Sequence, residues 1–288
     1  MPFSLSTPKD PAEAFRLLVA GRPGETALLA GGTALLRDLD EGQNHATHLI
    51  SLRKLPWNRH AWKGEALEIG STEPLRTLEN DPLVRARLPG LHQAIEAVGS
   101  VALRHRATLG GNLGRASPAS DLIPVLLALE ALVNLRSPRG QRVVDIEQFI
   151  ISSRQTAREP DELIESVSIP RALPSAYVWQ RVRPSNDISQ VGVAVALGPP
   201  PGRWRVALGG VSPRPVRLPE AEEALVSRRP SEAEVELAAQ AAARHAPFVT
   251  DRRATEGYRR RLVTTLVRRA VRSTAEHRAR RAGPKGGR

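Results

Sequence analysis

Two pairs of adjacent glycines restrict what this chain can become. The first follows a short apolar run, Leu28-Leu29-Ala30-Gly31-Gly32-Thr33-Ala34-Leu35-Leu36. The second lies in Arg106-Ala107-Thr108-Leu109-Gly110-Gly111-Asn112-Leu113-Gly114 and continues through Ser117 to Asp121 and Leu122. Without a Cβ, a glycine lets backbone N–H groups approach a bulky anion closely. The first run reads as a buried strand, a glycine pair, a hydroxyl and a helix spanning Thr33 to Leu39. The N–H groups of that helix's first turn would face whatever sits against the glycines. In the second run, Asn112 and Ser117 offer polar contacts, and Asp121 stands as an N-cap before the apolar stretch Leu122 to Leu129. One Gly-Gly alone is more often a tight turn than a site. Two of the same character point to a phosphate-bearing ligand held between them.

With 288 residues, 41% hydrophobic and 25% charged, the chain has the balance of a soluble globular protein of one large domain or two ordinary ones. Aromatic residues are only 3%, so Leu, Val, Ile and Ala must make the core. There is no cysteine, which excludes disulfides, thiolate zinc sites and iron–sulfur clusters ligated by this chain. The N-terminal residues lack the basic and apolar regions of a signal peptide, and no apolar stretch is long enough to span a bilayer. A cytoplasmic protein is expected. The net charge of +12 is concentrated at the end, where residues 258–288 hold eleven basic residues and one acid. A tail of this kind could bind nucleic acid. No aromatic residue interleaves its arginines after Tyr258, which makes nucleic acid an unlikely partner and favours a solvated helix face running into a disordered end.

In order, the first fifty residues read as helix, strand, helix, strand. Asp10 caps the first helix and Gly21 stops it. Pro56 to Lys63 reads as a turn before a strand from Ala66 to Gly70. Helices starting near Ser71, Asp81 and Pro89 lead to the second glycine pair. A hairpin turns at Ser137–Gly140, and a strand from Glu162 to Pro170 closes the region. A composition shift at Arg171–Ser175 marks a domain boundary. Three strands follow, joined by the turn signals Pro184–Asp187 and Gly198–Gly202. Ser231 and Glu234 form a capping box for a helix to His245, and a last apolar stripe starts at Tyr258.

No catalytic constellation emerges. There is no His-x-x-x-His, Gly-x-Ser-x-Gly, Walker loop or Gly-x-Gly-x-x-Gly, and the seven histidines are scattered. Any chemistry here belongs to a cofactor. A dinucleotide pyrophosphate, with two negative charges, suits the paired glycine loops, and Arg104 and Arg106 are candidates for long-range attraction.

These residues resemble the FAD-binding (medium) subunit of the molybdenum hydroxylases, a family that includes xanthine dehydrogenase, aldehyde oxidoreductase and carbon monoxide dehydrogenase. Leu29-Ala30-Gly31-Gly32-Thr33-Ala34-Leu35 is similar to that family's first pyrophosphate loop and Arg106 to Leu113 to its second. Ala116-Ser117-Pro118-Ala119-Ser120-Asp121-Leu122 is similar to the continuation, in a form like that of xanthine dehydrogenases. Ala207 to Pro213 and Asp251 to Arg259 resemble the family's C-terminal domain.

The resemblance implies an α+β fold. A two-lobed FAD-binding domain of the vanillyl-alcohol-oxidase/PCMH type would occupy residues 1–172, with lobe one about 1–55 and lobe two about 56–172. A smaller α+β domain, an antiparallel sheet with helices, would follow at 175–275, and a basic, disordered tail at 276–288. Gly31, Gly32, Thr33, Gly110, Gly111 and Asn112 would hold the pyrophosphate and neighbouring ribityl. Thr108 and Ser117 would donate hydroxyl hydrogen bonds, Asp121 would accept from a flavin hydroxyl, and Leu163 would lie near the ring. No residue is expected to be catalytic or to bind metal. Partners would be a large subunit with the molybdenum cofactor and a small subunit with 2Fe-2S clusters, forming a heterotrimer. NAD+ or another acceptor would take the electrons. Xanthine dehydrogenase-like function is favoured; a carbon monoxide or aldehyde dehydrogenase medium subunit and a flavin-free interaction or nucleic-acid-binding protein are the alternatives. The family's lysine near the flavin is missing: Trp179, Gln180 or Arg181 stands there.

Overall fold

The computed structural model describes residues 3–184, 186–199 and 202–281. The first lobe is built on three parallel strands in the order Ser4–Ser6, His48–Ser51, Thr26–Leu29. Successive side chains of a strand point to opposite faces. Ile50 therefore joins Ala14, Phe15, Leu52 and Trp57 under the helix Pro11–Ala20. Leu49 packs on the other face with Leu39 of the helix Leu35–Asp40. The N-terminal strand was not expected, because three residues are too few to show a pattern.

The second lobe is an antiparallel sheet in the order His60–Lys63, Ala66–Gly70, Leu163–Ile169, Leu132–Ser137, Gly140–Asp145. His60–Lys63 is thus a strand, not part of a turn. Helices Leu75–Asn80, Pro82–Arg87, Pro89–Ala97, Leu109–Arg115 and Leu122–Ala128 pack with this sheet around the largest core. Buried Arg104 is not aimed at a ligand. It pairs with both oxygens of Glu79 at 2.7 and 2.9 Å and donates to the carbonyls of Glu96 and Val98.

The third sheet runs Ser175–Gln180, Val191–Leu197, Trp204–Gly209, Val216–Arg217, all antiparallel. Its central strand, Val191-Gly192-Val193-Ala194-Val195-Ala196-Leu197, alternates bulky and small residues and is buried along its whole length. The bulky set joins Val235, Ala238, Val263 and Val267 of the helices Glu232–His245 and Glu256–Arg281. The small set, Ala194 and Ala196, enters the second lobe's core beside Tyr177 and Ala207. The composition break at 171–175 falls just before this third sheet, whose strands give side chains to both cores.

Residues 276–281, expected to belong to a disordered tail, are helical instead. The last helix continues to Arg281, held by Thr274 Oγ1 donating to Val195 O at 3.3 Å and by a 2.8 Å bond between His277 Nδ1 and Ser175 O. Arg268 and Arg272 of its basic face pair with Glu236 and Glu232. Ser185, Pro200, Pro201 and residues 282–288, which belong to the expected turns and tail, lie outside the described residues.

Removing one member of a buried ion pair strands the other charge. Glu79→Ala should therefore lower the unfolding free energy by about 3 kcal/mol, read from urea denaturation; a change within measurement error would show that Arg104 finds other partners.

Candidate functional site

The two glycine pairs meet where the lobes touch. A Cβ on Gly31 would fall 1.9 Å from Arg106 O, so the first loop lies with its backbone against that of the second lobe. Arg106 thus contributes its carbonyl to the seam. Gly32 has φ +79°, a left-handed turn that a side chain would strain. The turn directs the chain into the helix Leu35–Asp40, which starts two residues later than Thr33 and has no capping side chain. Among the described residues, the N–H groups of Gly31, Gly32, Thr33 and Ala34 meet no protein acceptor. Four consecutive free donors at one turn form an anion-binding concavity.

The second pair lies inside a helix rather than in a loop. Thr108 caps the helix Leu109–Arg115 by accepting from Gly111 N at 3.0 Å. That bond uses an oxygen lone pair, so the Thr108 proton remains available to donate. Gly110 N donates to Ser71 O at 3.1 Å, and a Cβ there would meet Ser71 at 2.5 Å. Ser71 Oγ is buried on the cleft wall without a partner. Asn112 Oδ1 accepts from Ser120 Oγ at 2.6 Å, which leaves the Asn112 amide donors for a ligand.

A cleft of about 500 Å³ runs over these loops. Its walls hold Ala30, Gly31, Gly32, Thr33, Ala34, Leu35, Thr108, Gly110, Gly111 and Asn112, with Leu18, Leu28 and Ile164 at an apolar end. It adjoins a second cleft of about 880 Å³, and the two share Thr33, Ala34, Asn112 and Arg115. The second cleft is lined by Ser117, Asp121 and residues of the C-terminal domain, among them Asp187, Ile188 and Ser189. Ser117 Oγ accepts from Ala119 N at 3.3 Å. The positive charge here is real. Arg115 pairs with Asp38 across the lobes; burial first, then the charges of Arg154 and Arg37, push its pKa down.

Two of the expected residues do not line the clefts. Leu29 lies on the strand Thr26–Leu29 and packs against the Leu39–Leu49 cluster. Leu163 opens the strand Leu163–Ile169 and is fully buried beside Phe15 and Trp57. Alternation along that strand turns the next residue, Ile164, to the cleft instead.

Asp121 stands at the N-cap position, as expected, but its side chain does not cap. Its backbone is already helical and its side chain makes no capping bond; Ser120 Oγ accepts from Leu122 N and Ile123 N at 3.2 Å. Asp121 is buried, 8% exposed as a residue, and its Oδ1 accepts from Tyr177 Oη at 2.7 Å and Ser189 Oγ at 2.6 Å. Burial pushes its pKa up, while these two donors and the charge of Arg181 pull it down. Burial, with Asp121 alongside, raises the Tyr177 phenol well above its usual range.

An elongated dinucleotide fits this cleft. Its pyrophosphate matches the free N–H groups and arginines, and apolar walls lie beyond. A family model described as the FAD binding domain in molybdopterin dehydrogenase matches residues 1–172. The chain belongs to this family. A second model, the CO dehydrogenase flavoprotein C-terminal domain, matches residues 176–274. The carbon monoxide dehydrogenase medium chain of Hydrogenophaga pseudoflava is 29% identical, over 93% of this chain and 96% of its own. The nicotine 6-hydroxylase medium subunit of Paenarthrobacter nicotinovorans is 29% identical, over 86% of this chain and 89% of its own. The putative xanthine dehydrogenase FAD-binding subunit of Escherichia coli is 27% identical, over 90% and 91%. Among solved structures, carbon monoxide dehydrogenase from H. pseudoflava aligns with a TM-score of 0.89 at 27% identity, covering 96% of this chain and 98% of that one. As a member of the family, the chain is a FAD-binding oxidoreductase subunit.

Sequence reading missed Ser71, Ile164, Tyr177 and Ser189. None sits in a glycine-rich motif; the folded sheets bring Ser71, Ile164 and Ser189 to the clefts and set Tyr177 behind them on Asp121.

Gly31→Ala should force the lobes apart and lower flavin content at least tenfold, measured by visible absorbance of the purified chain. Gly111→Ala, whose Cβ would meet only Thr108 Oγ1 at 3.0 Å and Ala30 Cβ at 3.6 Å, should retain more flavin; the reverse order would contradict this account of the seam.

Proposed function

We propose that this chain is the electron-transfer subunit of a molybdenum hydroxylase, receiving electrons from iron–sulfur clusters on a small partner subunit and delivering them to NAD+ or another acceptor. The observation that carries the reading is the row of free N–H groups from Gly31 to Ala34 facing the helix that Thr108 caps. Bound FAD supplies the redox chemistry, accepting and releasing electrons singly or in pairs. The chain's own residues bind and orient it. The backbone at Gly31–Ala34 would hold the pyrophosphate, with Gly110, Gly111 and Asn112 beside the ribityl. Thr108 and Ser117 would donate hydroxyls, and Asp121 would accept.

With no cysteine, the chain cannot ligate the clusters itself, so clusters and molybdenum belong to other chains of a heterotrimer. We place the complex in the cytoplasm; among the described residues no helix is long and apolar enough to cross a membrane. The Ser117-Pro118-Ala119-Ser120-Asp121 form favours a xanthine dehydrogenase-like complex. A carbon monoxide dehydrogenase-like complex is the second reading, supported by the likeness across both domains. Domain limits of 1–172 and 175–275 follow from the same reading.

The purified chain should be yellow and release FAD on denaturation; a colourless chain that cannot be reconstituted would overturn the flavin role. Co-purification from the host should bring a molybdenum and an iron–sulfur chain. Assays of that complex with xanthine, aldehydes and carbon monoxide, with and without NAD+, separate the two readings.

Of Trp179, Gln180 and Arg181, one of which stands at the family lysine's place, Arg181 carries the charge; it donates to Ala97 O at 2.9 Å and lies 5.3 Å over Trp179. Its positive charge acts on Asp121 at the cleft. Arg181→Ala should lower the flavin midpoint potential by about 30 mV, equivalent to ~1.4 kcal/mol for two electrons; an unchanged potential in a spectroelectrochemical titration would remove Arg181 from the redox site.

A further inference from the structure

The carboxylate of Asp121 joins two domains. Asp121 opens the helix Leu122–Ala128 of the FAD-binding domain, whereas Tyr177 lies on the first strand of the C-terminal sheet and Ser189 just before the second. Both hydroxyls donate to the same oxygen, Oδ1. Asp121 lines the larger cleft, and among the described residues no protein donor reaches Oδ2. An ionised carboxylate only accepts, and two donors on one oxygen fix its plane while leaving the other oxygen open.

The surroundings are shaped to keep Tyr177 in place. A Cβ on Gly192, across the strand pair, would fall 2.1 Å from Tyr177 Oη, so the glycine makes room for the phenol. The ring stacks on Trp179 with centroids 5.6 Å apart, and the Tyr177 N–H donates to Gln93 Oε1 at 2.8 Å. Gly210 N donates to Pro118 O at 2.9 Å, pinning the same Ser117–Asp121 segment from the C-terminal side. The mixed donor pair has a chemical consequence. Burial is the largest effect and raises the Asp121 pKa; the Ser189 and Tyr177 donors and the charge of Arg181 oppose it and favour the ionised form that can accept a hydrogen bond.

We propose that Tyr177 and Ser189 are positioning residues for the flavin: from the C-terminal domain they hold Asp121 Oδ1 so that Oδ2 accepts a hydroxyl or ring N–H of the flavin moiety. This rests on the FAD reading above. The glycine loops bind the pyrophosphate end without the C-terminal domain, and the Tyr177–Asp121–Ser189 clasp makes recognition of the flavin end depend on that domain being seated.

The experiment compares FAD with ADP, which carries the pyrophosphate but no flavin. Both are titrated calorimetrically into the full-length chain stripped of flavin, as wild type, Tyr177→Phe, Ser189→Ala, Asp121→Asn and the Tyr177→Phe/Asp121→Asn double variant. Tyr177→Phe keeps the Trp179 stack and the backbone bond to Gln93. Each hydroxyl deletion should weaken FAD about tenfold, as expected for a hydrogen bond to a charged group, and leave ADP unchanged. The double variant should bind FAD no more weakly than Asp121→Asn alone, because both act through one carboxylate. Wild-type affinity for FAD in both hydroxyl variants would overturn the proposal. So would equal losses of FAD and ADP, the mark of a merely structural role, or additive losses in the double variant. A wild-type chain that binds neither ligand would overturn the flavin reading itself and the proposal with it.

Discussion

At Gly31 the first lobe lies with its backbone directly against the carbonyl of Arg106, at a distance that leaves no space for a single extra carbon. The geometry of the cleft depends on that contact. It fixes the height of the first loop above the helix that Thr108 caps. It aims four uncommitted N–H groups into one volume, and it brings Asp38 within reach of Arg115 across the lobes. A small outward shift would leave the same donors dispersed, facing water.

The second constraint is the alternation of the strand Val191–Leu197. Its valines fill the space under the two C-terminal helices, and its glycine and alanines allow the second lobe close enough to share a core. A uniform run of valines would suit the first task and block the second. The same closeness places Tyr177 and Ser189 on Asp121. The sheet that completes the cleft is thus also the sheet that holds the domains together.

Much of this was legible in the order of the residues. The glycine pairs, the capping box at Ser231 and the stripe from Tyr258 are local signals, and local signals survive in sequence. Leu163 and Asp121 show where that stops. Leu163 is fully buried while its neighbour Ile164 lines the cleft, because in a strand one residue reverses the face. Asp121 carried the look of an N-cap, but its partners lie 56 and 68 residues away, and no local pattern distinguishes a capping aspartate from a clasped one. Arg104 reads in sequence as a cation available to a ligand, but its partner Glu79 lies 25 residues away and only folding brings the two together. The end of the last helix was masked by composition, since arginine-rich sequence resembles a solvated tail until Thr274 and His277 are seen bonded to strands.

Those last bonds bear on the order of events during synthesis. His277 reaches back 102 residues to Ser175, and Thr274 reaches back 79 to Val195. The sheet that carries Tyr177 is therefore held at these points only after residue 277 has been synthesised. Domains fold as units during synthesis, the N-terminal one first, so the glycine seam exists while the opposite wall is still unbuilt. The carboxylate of Asp121 therefore meets its partners Tyr177 and Ser189 only after the seam has formed.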